Sequence, residues 1–175
     1  MRSDYPQLHQ IPQLRKLWKE AFGDSDAFLD AFFTCGFHLR RCRCITENGC
    51  VVSVLYWFEV TCRNQRFAYL YAVATAASCR GRGLFSALLA DTKQVLTAKG
   101  FDGILLVPEN EALSRMYEKF GFALSATVDC ITVSAGEIPA AVEEIGPETF
   151  AALRRKMLPE GGVLQEGEIL TFLAS

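Results

Sequence analysis

Apolar residues near the N-terminus recur at three- and four-residue spacing: Leu14, Leu17, Trp18 and Phe22 follow Pro12 and stop at Gly23. That period marks one face of a helix, with proline in its first turn and glycine at its end. A second stripe, Phe28, Leu29, Phe32 and Phe33, begins after Asp24 or Ser25, either of which can cap a helix, and stops at Gly36. The period then changes. Arg41 to Thr46 and Cys50 to Val60 read as strands around Asn48-Gly49, a hairpin turn because both residues tolerate positive φ. A polar link, Cys62 to Gln65, leads to a third strand, Phe67 to Thr75, which completes a meander.

Further on, Leu84, Phe85, Leu88, Leu89, Val95 and Leu96 predict a long helix closed by Lys99-Gly100. Gly103 to Val107 is continuously apolar, the pattern of a strand buried on both faces, and Pro108 ends it. Glu111 to Phe120 reads as a helix stopped by Gly121, Leu124 to Val133 as another strand, and the tail as a helix after Pro147 with a turn at Gly161-Gly162. Two helices, a meander, then strand, helix and strand in alternation predict an α/β fold: a mixed, mainly antiparallel central sheet flanked by helices.

The chain has 175 residues, half of them hydrophobic, which suits a single domain with a full core or one domain plus a fragment of another. Its net charge of −2 comes without a basic face, which argues against nucleic-acid or anionic-membrane partners. No apolar stretch reaches the ~18 residues needed to span a bilayer, and the N-terminus lacks a signal-peptide core, so a cytoplasmic protein is expected. Seven cysteines at irregular spacing read as reduced thiols. Cys35, His38, Cys42 and Cys44 match no common zinc knuckle, and no metal site is expected.

The stretch "SCRGRGLFSALL", Ser78 to Leu89, lies between a strand and a helix. Glycines there let successive N–H groups turn outward in front of the helix dipole, and Arg80 and Arg82 can add charge, so the stretch reads as an anion site. A Walker loop is absent. The dinucleotide pattern G-x-G-x-x-G is matched by Gly81 and Gly83 but ends in Ser86, with Asp102 about 20 residues on, and its context is a meander instead of a βαβ unit. Coenzyme A, with its diphosphate on the turn and its pantetheine along the preceding strand, is the third candidate.

"VATAASCRGRGLFSALL" followed by "PENEALSRMYEKFGF" resembles the GNAT (general N-acetyltransferase) superfamily over Tyr69 to Phe122, extending back to Arg41. The resemblance implies the acyl-CoA N-acyltransferase fold, with residues 1–135 as the N-acetyltransferase domain. Residues 136–175 would be a C-terminal extension, packed on that domain or beginning a further one. It implies acetyl-CoA as cosubstrate, backbone groups of Val73, Ala74 and Thr75 pairing with pantetheine, and Arg80, Gly81, Arg82, Gly83, Leu84, Phe85 and Ser86 holding the diphosphate. Asn110 would contact the pantetheine arm, and Tyr117 would be the general acid. Phe85 stands where a small residue is usual, and Ala77 where proline is frequent; the loop is most similar to the enhanced-intracellular-survival branch. The chain opens with helices where many members open with a strand.

The implied reaction is direct acetyl transfer to a primary amine of a small molecule, aminoglycoside-like compounds included, or of a peptide. A tyrosine with an ordinary pKa of about 10 stays protonated at neutral pH and can protonate the departing thiolate. For the base, Glu59, Asp24, Asp26 and Asp30 are equal on spacing, and water can carry the proton. Phe67, Tyr69 and Tyr71 alternate along one strand and Tyr56 and Phe58 along its neighbour, a stripe that fits either core packing or an acceptor pocket. The alternative function is a catalytically silent acyl-CoA-binding regulatory module, and the tail leaves room for a homo-oligomer.

Overall fold

The computed structural model describes residues 2–125, 145–158 and 162–173. They fall into two units, Met1–Leu106 with Pro147–Ser175, and Val107–Gly146.

In the first unit, helix α1 spans Ile11–Phe22 and buries Leu14, Leu17 and Trp18. It ends on Gly23 in the left-handed region, whose N–H bonds to the Lys19 carbonyl at 2.9 Å. Of the two candidate caps for the next helix, Ser25 is the one used: its Oγ accepts from Phe28 N at 3.2 Å and opens α2, Asp26–Ala31. The apolar stripe that predicts one helix to Gly36 instead changes pitch, because Phe32–Gly36 is a π-helical turn. The wider turn lets Phe32 and Phe33 both reach Trp18, at 4.4 and 6.3 Å between ring centroids.

Strands β1 (Cys42–Glu47), β2 (Cys50–Cys62), β3 (Gln65–Thr75) and β4 (Gly103–Leu105) form a sheet in that order. The first three are antiparallel, and β4 is parallel to β3. Asn48 and Gly49 make the β1–β2 turn with φ of +49° and +78°. The meander therefore follows the sequence expectation closely. The Gly103–Val107 segment does not: only Gly103–Leu105 is strand, and each of those residues is half-buried. An apolar run reports hydrophobicity but not which neighbours cover it. Gly103 packs so closely on Phe67 that a Cβ would lie 2.5 Å from that ring.

Alternate residues of the sheet meet different layers. Cys42, Cys44, Val54, Tyr56, Phe58 and Val60 join Trp18, Leu29 and Phe32 in one core. On the other face lies α3, Leu84–Ala98, with Leu84, Leu88, Leu89 and Leu96 buried and its end marked by Lys99 over the Trp57 ring at 5.4 Å. Asp91 of α3 takes a 2.6 Å ion pair from buried Arg43 of β1 and a hydrogen bond from Ser3.

Two segments join this frame in ways the polar sequence around them does not announce. Asp4 exchanges backbone hydrogen bonds of 2.9 Å with Cys44, so a single bridge precedes the first helix at the open edge of β1. From the tail, α5 (Pro147–Met157) and α6 (Glu168–Leu173) belong to the same unit. Phe172 of α6 stacks on Phe58 at 6.2 Å and 13° and fills the space that Gly36 leaves open. Arg41 pairs with Glu168, and Leu164 bridges to Thr61 of β2.

The second unit contains α4, Glu111–Glu118. The strand expected over Leu124 to Val133 lies outside the described residues from 126 onward, as does Gly161 of the expected tail turn.

Candidate active site

Strand β3 carries one more residue than β2 where Val54 faces Ala74 and Tyr56 faces Tyr71. The surplus is taken up at Ala72, which sits at φ +49°, a conformation unusual for alanine. The bulge redirects the strand across Val73, Ala74 and Thr75, the segment expected to pair with pantetheine. On the other side, β4 pairs with β3 only from Phe67 to Tyr69, so no residue of β4 accompanies β3 through the bulge. Among the described residues, no strand pairs with that edge of β3 beyond Tyr69.

Directly after β3 come a 3₁₀ turn, Ala77–Cys79, and the glycine stretch. Gly81 and Gly83 have φ of +74° and +76°, and a Cβ on either would touch nothing within 4 Å. These glycines are required by backbone angle, not by crowding. Among the described residues, the N–H groups of Gly81, Arg82, Gly83, Leu84 and Ser86 donate to no backbone or side-chain acceptor. Gly83 caps α3 without a side chain, so the positive end of a 15-residue helix stands open behind this row. The arrangement fits a diphosphate.

The two arginines are not equivalent. Arg82 forms a bidentate pair with Glu47 at 2.9 and 3.0 Å, and that hydrogen bond, with the carboxylate's charge, raises its pKa further. The Arg80 side chain is exposed and donates its Nε–H to the Thr75 carbonyl at 3.2 Å. Glu47 and Ala72 are parts of this site that sequence reasoning did not single out. For Glu47 the signal was its place beside the Asn48-Gly49 turn; for Ala72 there was none, since a bulge is a property of register.

Asp102, the residue a dinucleotide reading would use, accepts from the Arg66 N–H at 2.7 Å, where β3 begins. It is removed from the glycine stretch by the length of β3, about 30 Å at ~3.3 Å per residue.

In the second unit, Asn110 caps α4, its Oδ1 accepting from Leu113 N at 3.0 Å. The amide nitrogen of the same side chain carries two further donors. Tyr117 is half-buried and packs edge-on against Phe122 at 5.6 Å. Burial raises its pKa, which keeps the phenol protonated at neutral pH.

The aromatic stripes face each other in register, Tyr56 with Tyr71, Phe58 with Tyr69 and Val60 with Phe67. Tyr56 and Phe58 are buried, while Tyr69 and Tyr71 are half-buried. Burial pushes the Tyr71 hydroxyl up to about 12, with Tyr69 and the charge of Asp24 adding to it. Of the carboxylates that spacing left equal, Glu59 is clamped by Arg66 at 2.6 and 2.7 Å, Asp26 by Lys19 and Asp30 by Arg15, both at 2.6 Å. Asp24 instead accepts a neutral hydrogen bond from Trp18 Nε1 at 2.8 Å. His38 Nδ1 accepts from Arg40 N, and burial raises the thiol pKa values of Cys42 and Cys44. No group of three metal-ligating side chains is assembled among the described residues.

Comparison with known proteins bears on what this geometry serves. The model of the acetyltransferase (GNAT) domain family matches residues 4–125. No curated protein matches the chain. Among solved structures, a transcriptional regulator from Bacillus halodurans is similar over 75% of this chain and 98% of its own, at 16% identity and a TM-score of 0.59. A Trypanosoma brucei acetyltransferase is similar over 75% and 99%, at 16% identity and a TM-score of 0.55. An aminoglycoside acetyltransferase from an uncultured soil metagenomic sample is similar over 77% and 100%, at 24% identity and a TM-score of 0.51. At these identities the likeness is one of fold.

Proposed function

Because the chain belongs to the GNAT acetyltransferase family, we propose that it transfers the acetyl group of acetyl-CoA directly to a primary amine of a small molecule or peptide. The observation that carries this reading is the row of N–H groups of Gly81, Arg82, Gly83, Leu84 and Ser86, open among the described residues and set at the positive end of α3 after the bulged strand. A diphosphate takes the row, and the pantetheine pairs with the backbone of Val73, Ala74 and Thr75. Asn110 contributes a side-chain amide to the same arm. The same reading puts the chain near the enhanced-intracellular-survival branch, supported by the resemblance of the loop Arg80–Phe85, and puts the reaction in the cytoplasm.

The neutral amine attacks the thioester carbonyl, and a backbone N–H near Val73 receives the charge that develops on oxygen. The carbon–sulfur bond then breaks, and the sulfur takes the proton of the Tyr117 hydroxyl. The nitrogen loses a proton to water, and the phenol is restored from solvent. Keeping Tyr117 protonated is what its half-buried position does.

Calorimetric titration of the full chain with acetyl-CoA and with NADH tests the coenzyme assignment. The expected result is saturable acetyl-CoA binding with free coenzyme A as a competitor and weaker or no binding of NADH. Preferential binding of NADH would sink the acetyl-transfer reading.

A further inference from the structure

The structure distinguishes carboxylates that the sequence does not, and the distinction points to the acceptor. Every other described carboxylate of the α1–α2 segment has a cationic partner: Glu20 has Lys16, Asp26 has Lys19 and Asp30 has Arg15. Asp24 has none among the described residues; its carboxylate accepts the indole N–H of Trp18 at 2.8 Å. It is also held in place from both sides. Gly23 closes α1 in the left-handed region and Ser25 caps α2, so the residue between them sits on a short turn anchored by two helix ends.

Its surroundings are rings. Trp18, which bonds Asp24 at one end of the indole, lies 5.9 Å from the Tyr71 ring, 6.2 Å from Phe28 and 6.3 Å from Phe33. Tyr71 directly precedes the bulge residue Ala72, and Tyr69 stands 6.2 Å from Tyr71 on the same face. The charge of Asp24 is felt at the Tyr71 hydroxyl. An anionic oxygen with a neutral hydrogen bond, joined through the Trp18 indole to the half-buried rings of Tyr71 and then Tyr69, is a setting that attracts an ammonium group: the carboxylate supplies charge and the rings supply cation–π attraction.

We propose that Asp24, with Tyr69 and Tyr71, anchors the ammonium group of the acceptor, and that this acceptor is a monoamine carried on an aromatic or aliphatic body. This rests on the reading in which β3 beyond Ala72 carries the thioester. A polycationic acceptor needs several free carboxylates, whereas here the neighbouring ones are already neutralised by lysine and arginine. The ammonium gives up one proton to water before attack, and the neutral amine keeps an N–H hydrogen bond to Asp24. Direct proton removal is not assigned to Asp24, since carboxylates as a class are far weaker bases than the amines they would have to deprotonate.

The test is equilibrium binding of 2-phenylethylamine and of spermidine to the full chain, without coenzyme, in the wild type, Asp24→Asn, Asp24→Glu and Asp30→Asn. Asparagine retains an acceptor for Trp18 and removes the charge; thermal melting reports whether each variant is folded. The expected result is that Asp24→Asn weakens 2-phenylethylamine about tenfold or more, that Asp24→Glu restores part of the loss, and that Asp30→Asn changes little. Spermidine should bind more weakly than 2-phenylethylamine. Equal affinity of wild type and Asp24→Asn, tighter binding of spermidine, or no binding of 2-phenylethylamine to the wild type would each overturn the proposal. Acetyl-CoA titration of the same proteins separates the two readings: amine binding without acetyl-CoA binding counts against acetyl transfer alone, and acetyl-CoA binding with an unaltered Asp24→Asn counts against this proposal alone.

Discussion

The two faces of the sheet are packed by different chemistry. Against α3, the covering side chains are aliphatic, Leu84, Leu88, Leu89 and Leu96, and the ion pair of Arg43 with Asp91 ties helix to strand. Against α1 and α2, the leucines Leu14, Leu17 and Leu29 are joined by a cluster of rings, Trp18, Phe28, Phe32 and Phe33, and Tyr69 and Tyr71 keep part of their surface exposed. Aliphatic groups interdigitate densely and tolerate little change. Rings with polar tips present flat apolar surface and a hydrogen-bonding edge together, which suits recognition. The closed face fixes the helix whose N-terminus forms the glycine stretch, and the open face holds Asp24. In the proposed reading, one side of the sheet positions the coenzyme's diphosphate and the other offers a surface to the amine.

The largest expected effect strikes the closed face. Asp91→Ala leaves the Arg43 guanidinium buried without its carboxylate, which costs about 3 kcal/mol, the lower end of the range for a broken buried pair because Asp91 keeps some exposure. A chemical denaturation curve measures it. Burial acts to raise the Asp91 pKa, but hydrogen bonds from Ser3 and Arg43 and the charge of Arg43 outweigh burial and lower it below its ordinary 3.8. The unfolded chain therefore binds this proton first on acidification. The stabilisation is complete above pH 3.8 and is lost as the pH falls through the depressed folded value, so melting temperatures of wild type and Asp91→Ala converge only in acid.

Next in size is a pair of tyrosine substitutions that separates chemistry from recognition. Tyr117→Phe should lower kcat about a hundredfold while leaving the acetyl-CoA Kd nearly unchanged. Tyr71→Phe keeps the ring and loses only a hydroxyl, so steady-state rates should fall by no more than about threefold. A reversed order would move the proton donor to the open face.

Two glycine substitutions probe how tightly each region is built. At Gly36 a Cβ would lie 3.2 Å from Phe172 and Phe32, so Gly36→Ala should cost about 1–2 kcal/mol by overpacking the ring cluster. At Gly83 there is open space but a left-handed backbone, so Gly83→Ala should cost about 1 kcal/mol through conformation alone and weaken acetyl-CoA binding. Thermal melting reads both, and only the second should also shift the coenzyme titration.

Sequence pattern conveyed the parts governed by local rules. The bounds of α1 and α3, the Asn48-Gly49 turn and the capping of α2 at Asp24 or Ser25 follow from residues whose preferences are intrinsic. Gly81 and Gly83 were legible for the same reason, since few other residues accept their angles. Features set by partners distant in sequence were not legible. The bulge at Ala72, the π-helical turn, the Asp4–Cys44 bridge and the Glu47–Arg82 pair depend on register and on packing across the sheet. The carboxylates show the limit most clearly. Asp24, Asp26 and Asp30 look alike along the chain, and only the positions of Arg15, Lys19 and Trp18 tell them apart.

The account is tested most directly by continuous release of free coenzyme A thiol from acetyl-CoA over a panel of primary amines, run with the wild type and Tyr117→Phe. It predicts amine-dependent thiol release by the wild type, strongest for monoamines with an apolar body, and its near loss in Tyr117→Phe at unchanged acetyl-CoA affinity. Acetyl-CoA binding with no thiol release on any amine would contradict it and make the chain a coenzyme-binding module.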